Sequence, residues 1–297
     1  MFKNSTYFIL ICFIFLTSVD SYSQRQLNLE VDNDLYFDRD FYYSSGIFLS
    51  YISPDKQEKD VLNHYKLGQL IYTPSMRYEP DPLRYDYPYS GYLFLELKRQ
   101  KKLTDFSSYT LGGQIGITGD ASLARSMQNL YHDIILNLPN LEWKSQMPQE
   151  LQLNFVANYF NSIKIGNKIA FTNEIYSRLG TYQIMSGLKL GFLIGERNWY
   201  SHSDNIINNQ SNKISIYIGT RQEYYFSDYK LEGSLFNDKA PLTMPINKYR
   251  NTLTLGLQTK INDLQILTSF NSMSKETDRQ RTNRHPFLKL SLNYKFK

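Results

Sequence analysis

The chain ends on a segment with two clean faces. From Leu288 to Phe296, the residues Leu288, Leu290, Leu292, Tyr294 and Phe296 alternate with Lys289, Ser291, Asn293 and Lys295. A period of two, apolar on one side and polar on the other, predicts a strand with one face to lipid and one to an aqueous interior. Its length suits a tilted crossing of a bilayer. A half-buried strand of a soluble protein alternates too, but rarely sets five large apolar residues against exposed polar positions at a chain end. The aromatic residue beside the C-terminus resembles the signal that barrel-assembly machinery reads, which makes that machinery an expected partner.

Walking back along the chain predicts twelve strands, near 26–34, 44–53, 63–73, 90–102, 106–118, 150–165, 166–178, 182–195, 212–226, 245–261, 262–274 and 284–296. An even number fits a bacterial outer-membrane barrel. The mature chain has no stretch approaching 18 consecutive apolar residues, so membrane insertion has to use strands, closed on themselves so that no backbone edge meets lipid. The expected fold is therefore all-β, a transmembrane antiparallel β-barrel of about twelve strands. With both termini in the periplasm, the connections 35–43, 74–89, 119–149, 179–181, 227–244 and 275–283 face outward. The longer polar stretch 196–211, with Ile206 to Asn209, falls on the periplasmic side and receives no role.

The third outer connection has its own periodicity. Leu123, Met127, Leu130 and Ile134 recur at helical spacing over 122–136, with Asp120 or Ser122 as the expected cap. Gln128 and His132, four apart, share a face beside that apolar stripe. A short helix in an extracellular loop, resting against the barrel wall and touching lipid, is expected.

The N-terminus reads as a cleaved leader over 1–24, followed by a barrel domain over 25–297. Lys3 supplies charge, Tyr7 to Leu16 a short apolar core, and Ser21-Tyr22-Ser23 the small residues of a cleavage site. That core is too short to span a bilayer as a helix. The one cysteine, Cys12, lies inside it behind Ile11, the wrong neighbour for a lipoprotein. The mature protein then has no disulfide, thiol nucleophile or cysteine metal site.

Composition adds little. Tyr (25) and Phe (18) far outnumber Trp (2), which suits a membrane–water boundary but fits an aromatic-rich soluble β-protein equally. A net charge of +5 with scattered cations leaves no nucleic-acid footprint and is weakly compatible with anionic lipid.

Three polar clusters map to the outer end of this barrel: Glu30 to Asp34 with Asp40 to Gly46; Tyr72 to Ser75 with Asp86 to Tyr92; and Gln128, His132, Trp143, Gln146 and Glu150. Their order and spacing resemble the outer-membrane lipid A 3'-O-deacylase family. That family carries an acidic-Asn-Asp motif, matched by Asp32-Asn33-Asp34. Its Asp-x-x-Tyr-Thr-x-Gly turn is matched by Asp40 to Gly46, with Ser44 for Thr. Its Tyr-Thr-Pro and Asp-Arg-Pro-Tyr-Ala-Gly motifs are matched by Tyr72-Thr73-Pro74 and by Asp86 to Gly91, with Tyr87 for Arg. Its Gln-x-x-x-His and Trp-x-x-Gln are matched by Gln128, His132, Trp143 and Gln146.

The resemblance implies a twelve-stranded barrel that hydrolyses an ester of lipid A, the anchor of lipopolysaccharide, with calcium, from the exterior of the cell outer membrane. His132 would be the general base on water. Ca2+, a hard cation preferring oxygen ligands, would stabilise the oxyanion. Asp34 is the expected metal carboxylate, with Asp32 as a second and Asn33 beside them. Ser44 and Gln128 would orient groups in the site. Arg77 and Arg84 are the candidates for a lipid A phosphate. Leu138 stands where the family can carry an acid after the histidine, which leaves Glu150 as the candidate substrate-side carboxylate.

Each residue also has a plainer reading. Taken singly, a helix histidine is more often packed or surface-exposed, Asp32-Asn33-Asp34 is a strand end, Tyr87 to Gly91 is a turn, and Trp143 is a girdle residue. His132 is selected from His64, His202 and His285 by its shared face with Gln128 and its motif company. Two other functions stay open: an outer-membrane phospholipase with a Ser nucleophile, and a catalytically inactive structural or pore barrel.

Overall fold

The computed structural model describes residues 25–37, 40–195 and 214–296. The expected leader over 1–24 and the stretch 196–211 lie outside the described residues. Twelve strands are present: β1 (Arg25–Asn33), β2 (Tyr42–Pro54), β3 (Val61–Thr73), β4 (Ser90–Thr104), β5 (Ser107–Thr118), β6 (Leu151–Lys164), β7 (Ile169–Gly180), β8 (Gln183–Gly195), β9 (Ser215–Asp228), β10 (Tyr249–Ile261), β11 (Leu264–Ser274) and β12 (Arg284–Phe296). Each pairs antiparallel with its sequence neighbours. β1 and β12 then pair through registers such as Val31 with Leu290, which closes the sheet.

The wall is inverted relative to a soluble protein. Leu27, Leu29 and Val31 of β1 and Leu253, Leu255 and Leu257 of β10 point out and are exposed, while Gln26, Asn28, Glu30 and Asp32 point in and are buried. Among the described residues no helix is long and apolar enough to cross a membrane. The closed wall with its exposed apolar band has the pattern of a barrel that crosses with strands. Inward charges pair across strands, as in Lys289–Glu30 at 2.7 Å and Lys189–Glu174 at 3.1 Å.

The predicted boundaries hold within a few residues except at β10, which starts at Tyr249 rather than 245. Pro245 has no N–H to give a ladder, and the Asn247 N–H donates to the Glu276 carbonyl, tying this stretch to the neighbouring connection.

Long connections gather at one end, over 34–41, 74–89, 119–150, 229–248 and 275–283. Beneath them aromatic and charged side chains crowd the mouth of the lumen. Tyr42, Tyr72 and Tyr87 pack together, and Lys230 and Arg250 pair with Asp228 and Glu276, with Lys230–Glu276 at 2.9 Å and Arg250–Asp228 at 2.7 Å. The Tyr87 hydroxyl donates to Glu276 Oε2 at 2.6 Å. The residue that departs from the family motif is thus an anchor between two loops. In the 275–283 connection, burial pushes the Glu276 carboxyl up, but Lys230 and Arg250 outweigh it and hold the group below the usual range.

The third long connection carries the expected helix, in three pieces. A 3-10 turn (Gly119–Ser122) leads through Leu123, at φ 60°, into α1 (Ala124–Tyr131), which widens into a π turn over His132–Leu136. Neither Asp120 nor Ser122 caps α1. Leu123 holds the N-cap position in a left-handed conformation, and Asp120 instead accepts from Gln146 Nε2 at 2.7 Å. The helix turns Ala124, Gln128 and His132 inward. The stripe of Leu123, Met127, Leu130 and Ile134 is exposed, Ile134 by 66%.

Candidate active site

The sequence brings two distant segments together at the long-connection end. The first connection carries Asp40, and the π turn after α1 carries His132. Both are buried, His132 to 1% exposure. His132 Nε2 lies 2.8 Å from Asp40 Oδ2. A π turn is wider than an α turn and is often found where a side chain must be re-aimed at a site. Here it begins at His132 itself.

Asp40 is the hub. Gln128 Nε2 donates to its Oδ1 at 3.1 Å, and Arg77 NH1 lies 3.4 Å from its Oδ2. Its carbonyl accepts from Arg77 NH1 at 2.9 Å and from Thr73 Oγ1 at 3.1 Å. Since Thr73 gives its one proton to that carbonyl, Ser44 Oγ, 2.7 Å away, is the donor to Thr73. Trp143 Nε1 donates to Gln128 Oε1 at 3.0 Å, with the indole stacked on Tyr89 at 5.0 Å. The other ring nitrogen of His132, Nδ1, faces the Pro139 carbonyl at 3.4 Å, at the long end for a hydrogen bond.

Of the residues singled out in the sequence, Ser44, Arg77, Gln128 and His132 converge on Asp40. Asp34 sits next to them and is 1% exposed. Its Oδ2 accepts the Phe41 N–H at 3.0 Å and lies 3.5 Å from His285 Nε2. Burial, and after it the charge of Asp40, pushes the Asp34 carboxyl up to about 8 against the pull of the Phe41 N–H.

Five residues stand elsewhere. Asp32 is two residues earlier on β1 and so shares the inward face, but it lies deeper in the lumen, accepting from the Tyr43 hydroxyl at 2.8 Å. Asn33 has the opposite parity, and its Oδ1 accepts from the Leu35 N–H at 2.7 Å. Arg84 is exposed and paired with Glu79 at 3.4 Å. Glu150 accepts from Asn237 Nδ2 at 2.9 Å at the foot of β6 and does not join the His132 network. Gln146 is spent on Asp120. The partner of His132 that sequence reasoning left unassigned is Asp40. Its signal was available, because it opens the motif that ends on Ser44 and Gly46.

Chemically, a buried carboxylate on one nitrogen of an imidazole is an orienting pair for proton transfer at the other nitrogen. At its two ring nitrogens His132 meets Asp40 and the Pro139 carbonyl, so among the described residues neither nitrogen is hydrogen-bonded to the serine that a Ser nucleophile activated by His132 requires. Among the described residues no three His, Cys, Asp or Glu side chains converge as a metal cage. The donor set near Asp34 is one buried carboxylate with no Lys or Arg ion pair among the described residues, beside backbone carbonyls such as that of Ser44 and 3.5 Å from His285 Nε2. The carboxylate and carbonyl oxygens suit a hard cation completed by water and substrate oxygens.

A family model described as outer membrane protein LpxR matches residues 8–296. Among solved structures, LpxR from Salmonella typhimurium superposes with a TM-score of 0.74 at 19% identity, covering 91% of this chain and all of that one. The KdgM porin aligns with a TM-score of 0.44 at 7% identity over 92% of this chain and 99% of that one. The β domain of the Bordetella autotransporter BrkA gives 0.45 at 9% identity over 92% and 98%. These two scores are too low to bear on function. Comparison with curated protein sequences gave no significant match.

Proposed function

The chain belongs to the LpxR family of outer-membrane proteins, and from that premise we propose that it is an ester hydrolase removing the 3'-linked acyl chain from lipid A. The observation that carries this reading is the buried pair of His132 Nε2 and Asp40 Oδ2 at 2.8 Å, on a helix whose opposite face is apolar and exposed. One face can move a proton, and the other can lie among acyl chains. An amphiphile with its ester at the headgroup–acyl boundary meets both.

Asp40 accepts from His132 Nε2 and fixes the ring, so Nδ1 is the nitrogen that takes the proton from water. Attack on the acyl carbonyl breaks the bond to the 3' oxygen, and His132 returns the proton to that oxygen. The products are a free acid and a lipid A hydroxyl. Leu138-Pro139, whose carbonyl stands at Nδ1, has to yield for water and ester to enter. Ser44 and Thr73 act on Asp40 from behind. Asp34 is the residue that would hold calcium, and the bound ion would polarise the ester carbonyl and stabilise the oxyanion. Asp32 is placed too deep to share it. Arg77 is committed to Asp40, so Arg84, exposed on the second connection, is the better candidate for a lipid A phosphate. These roles set the active site facing the cell exterior.

The test uses the purified mature barrel in detergent with lipid A, read by mass spectrometry with calcium and with a chelator. Loss of the 3'-linked chain with calcium supports the proposal, and unchanged lipid A in both conditions contradicts it.

A further inference from the structure

Trp143 is the far end of a chain of directional hydrogen bonds that runs through Gln128 and Asp40 to His132. An indole N–H can only donate. Its bond to Gln128 Oε1 at 3.0 Å therefore fixes which way the amide faces and turns Nε2 onto Asp40 Oδ1 at 3.1 Å. Arg77 also gives Asp40 a donor, at 3.4 Å from Oδ2. With both of these partners donating, the carboxylate is left with acceptor sites only. The remaining contact, His132 Nε2 at 2.8 Å, has to be a donor as well.

The alternative tautomer has its own attraction. A proton on Nδ1 would point at the Pro139 carbonyl, 3.4 Å away, and would leave Nε2 lone pair against Asp40. A short bond to a carboxylate is roughly twice as strong as a neutral one, so the carboxylate wins while it remains a pure acceptor. If the indole donor is lost, the Gln128 amide is free to turn its oxygen to Asp40. A carboxylate facing that oxygen is relieved by taking up a proton on Oδ1, and Oδ2 then offers Nε2 only a neutral carbonyl, no stronger an acceptor than the Pro139 carbonyl at Nδ1.

We propose that Trp143 is a positioning residue that selects the His132 tautomer with Nδ1 unprotonated, acting through the orientation of the Gln128 amide. The proposal rests on His132 as the base. Its geometry also explains the position of Trp143 in the fold. The residue is 3% exposed, takes a left-handed backbone at φ 55°, and stacks on Tyr89. A ring needed only to fill that space could be any large aromatic.

The experiment replaces Trp143 in the full barrel with 3-benzothienylalanine, which keeps the bicyclic shape and puts sulfur where the N–H was. Trp143→Phe serves as a second variant, and folding is checked by heat-modifiable mobility on gels. Ring 15N spectra of histidine-labelled protein, assigned with His132→Gln, read the tautomer directly. The wild type is expected to show His132 Nδ1 unprotonated, and the benzothienyl protein is expected to show a second population protonated there. With lipid A as substrate, kcat is expected to fall roughly 10-fold with KM within about twofold. An unchanged 15N pattern in the folded benzothienyl protein overturns the proposal, as does a wild type already protonated on Nδ1. The spectrum needs no turnover. A wild type inert on lipid A would contradict the hydrolase reading while the tautomer result still decides this one.

Discussion

Asp40 and His132 stand 92 positions apart in the chain and 2.8 Å apart in the fold. Neither belongs to a barrel strand. The barrel's part is to bring the first and third long connections to one rim, where a loop carboxylate meets a histidine at the junction of an α helix and a π turn. Asp40→Asn keeps the shape and loses the acceptor that orients the imidazole. Lipid A hydrolysis is expected to fall about 100-fold or more, with a folded barrel by gel mobility. Activity within threefold of wild type would remove Asp40 from the machinery.

The second prediction concerns pH and the metal. The Asp34 carboxyl titrates at about 8 in the folded protein against 3.8 as its ordinary value, chiefly through burial. A carboxyl raised in this way favours folding while it is protonated, and that contribution is lost as pH rises through 8. Without calcium, the unfolding temperature is therefore expected to fall between about pH 4 and about pH 8, and calcium should restore it at the upper end. Asp34→Asn should flatten the profile and abolish the calcium effect. A calcium response that survives in Asp34→Asn places the ion elsewhere.

The third prediction separates the helix's two faces. Leu130 and Ile134 are exposed on α1 and the turn that follows it, opposite Gln128 and His132. Glutamate at both positions leaves the buried pair intact but opposes insertion among acyl chains. Hydrolysis in membrane vesicles is expected to drop about tenfold, with activity on dispersed lipid A nearly unchanged. Equal losses in both would mean that the stripe supports the site and not the membrane.

Glu276 supplies the fourth. It is shared by Lys230, Arg250 and the Tyr87 hydroxyl in a buried cluster that joins three long connections. Removing one partner of a buried ion pair leaves the other charged and dry, so Glu276→Gln should cost roughly 3 kcal/mol, read as a lower unfolding temperature. A cost near zero would show that water reaches the cluster.

The barrel was legible because a period of two is forced on every strand that separates lipid from an aqueous interior, and β12 displays it from Leu288 to Phe296. The apolar stripe of α1 was legible for the same kind of reason. The site was legible as motifs but not as contacts. Periodicity assigns Asp32 and Asp34 to one face, yet only closure of the barrel shows Asp32 in the lumen and Asp34 at the rim. Glu150 carries the right charge, but pairing between β5 and β6 fixes it on the Thr118 side of the loop, where Asn237 takes it. Arg77 and Arg84 look equivalent in sequence. The difference is that Asp40 consumes one and leaves the other at the surface. The expected caps of α1 failed because a 3-10 turn ahead of the helix puts Leu123, in a left-handed conformation, at the N-cap position, leaving Ser122 Oγ only a long contact from the Ala124 N–H.

The most direct test of the central claim is the mass of lipid A extracted from cells expressing this chain or its His132→Gln variant, in a Gram-negative host lacking such an activity. The account predicts that the wild type removes the mass of the 3'-linked acyl group and that the variant, present in the outer membrane at equal level, leaves lipid A intact. Unmodified lipid A from wild-type cells, or equal loss with the variant, would contradict it.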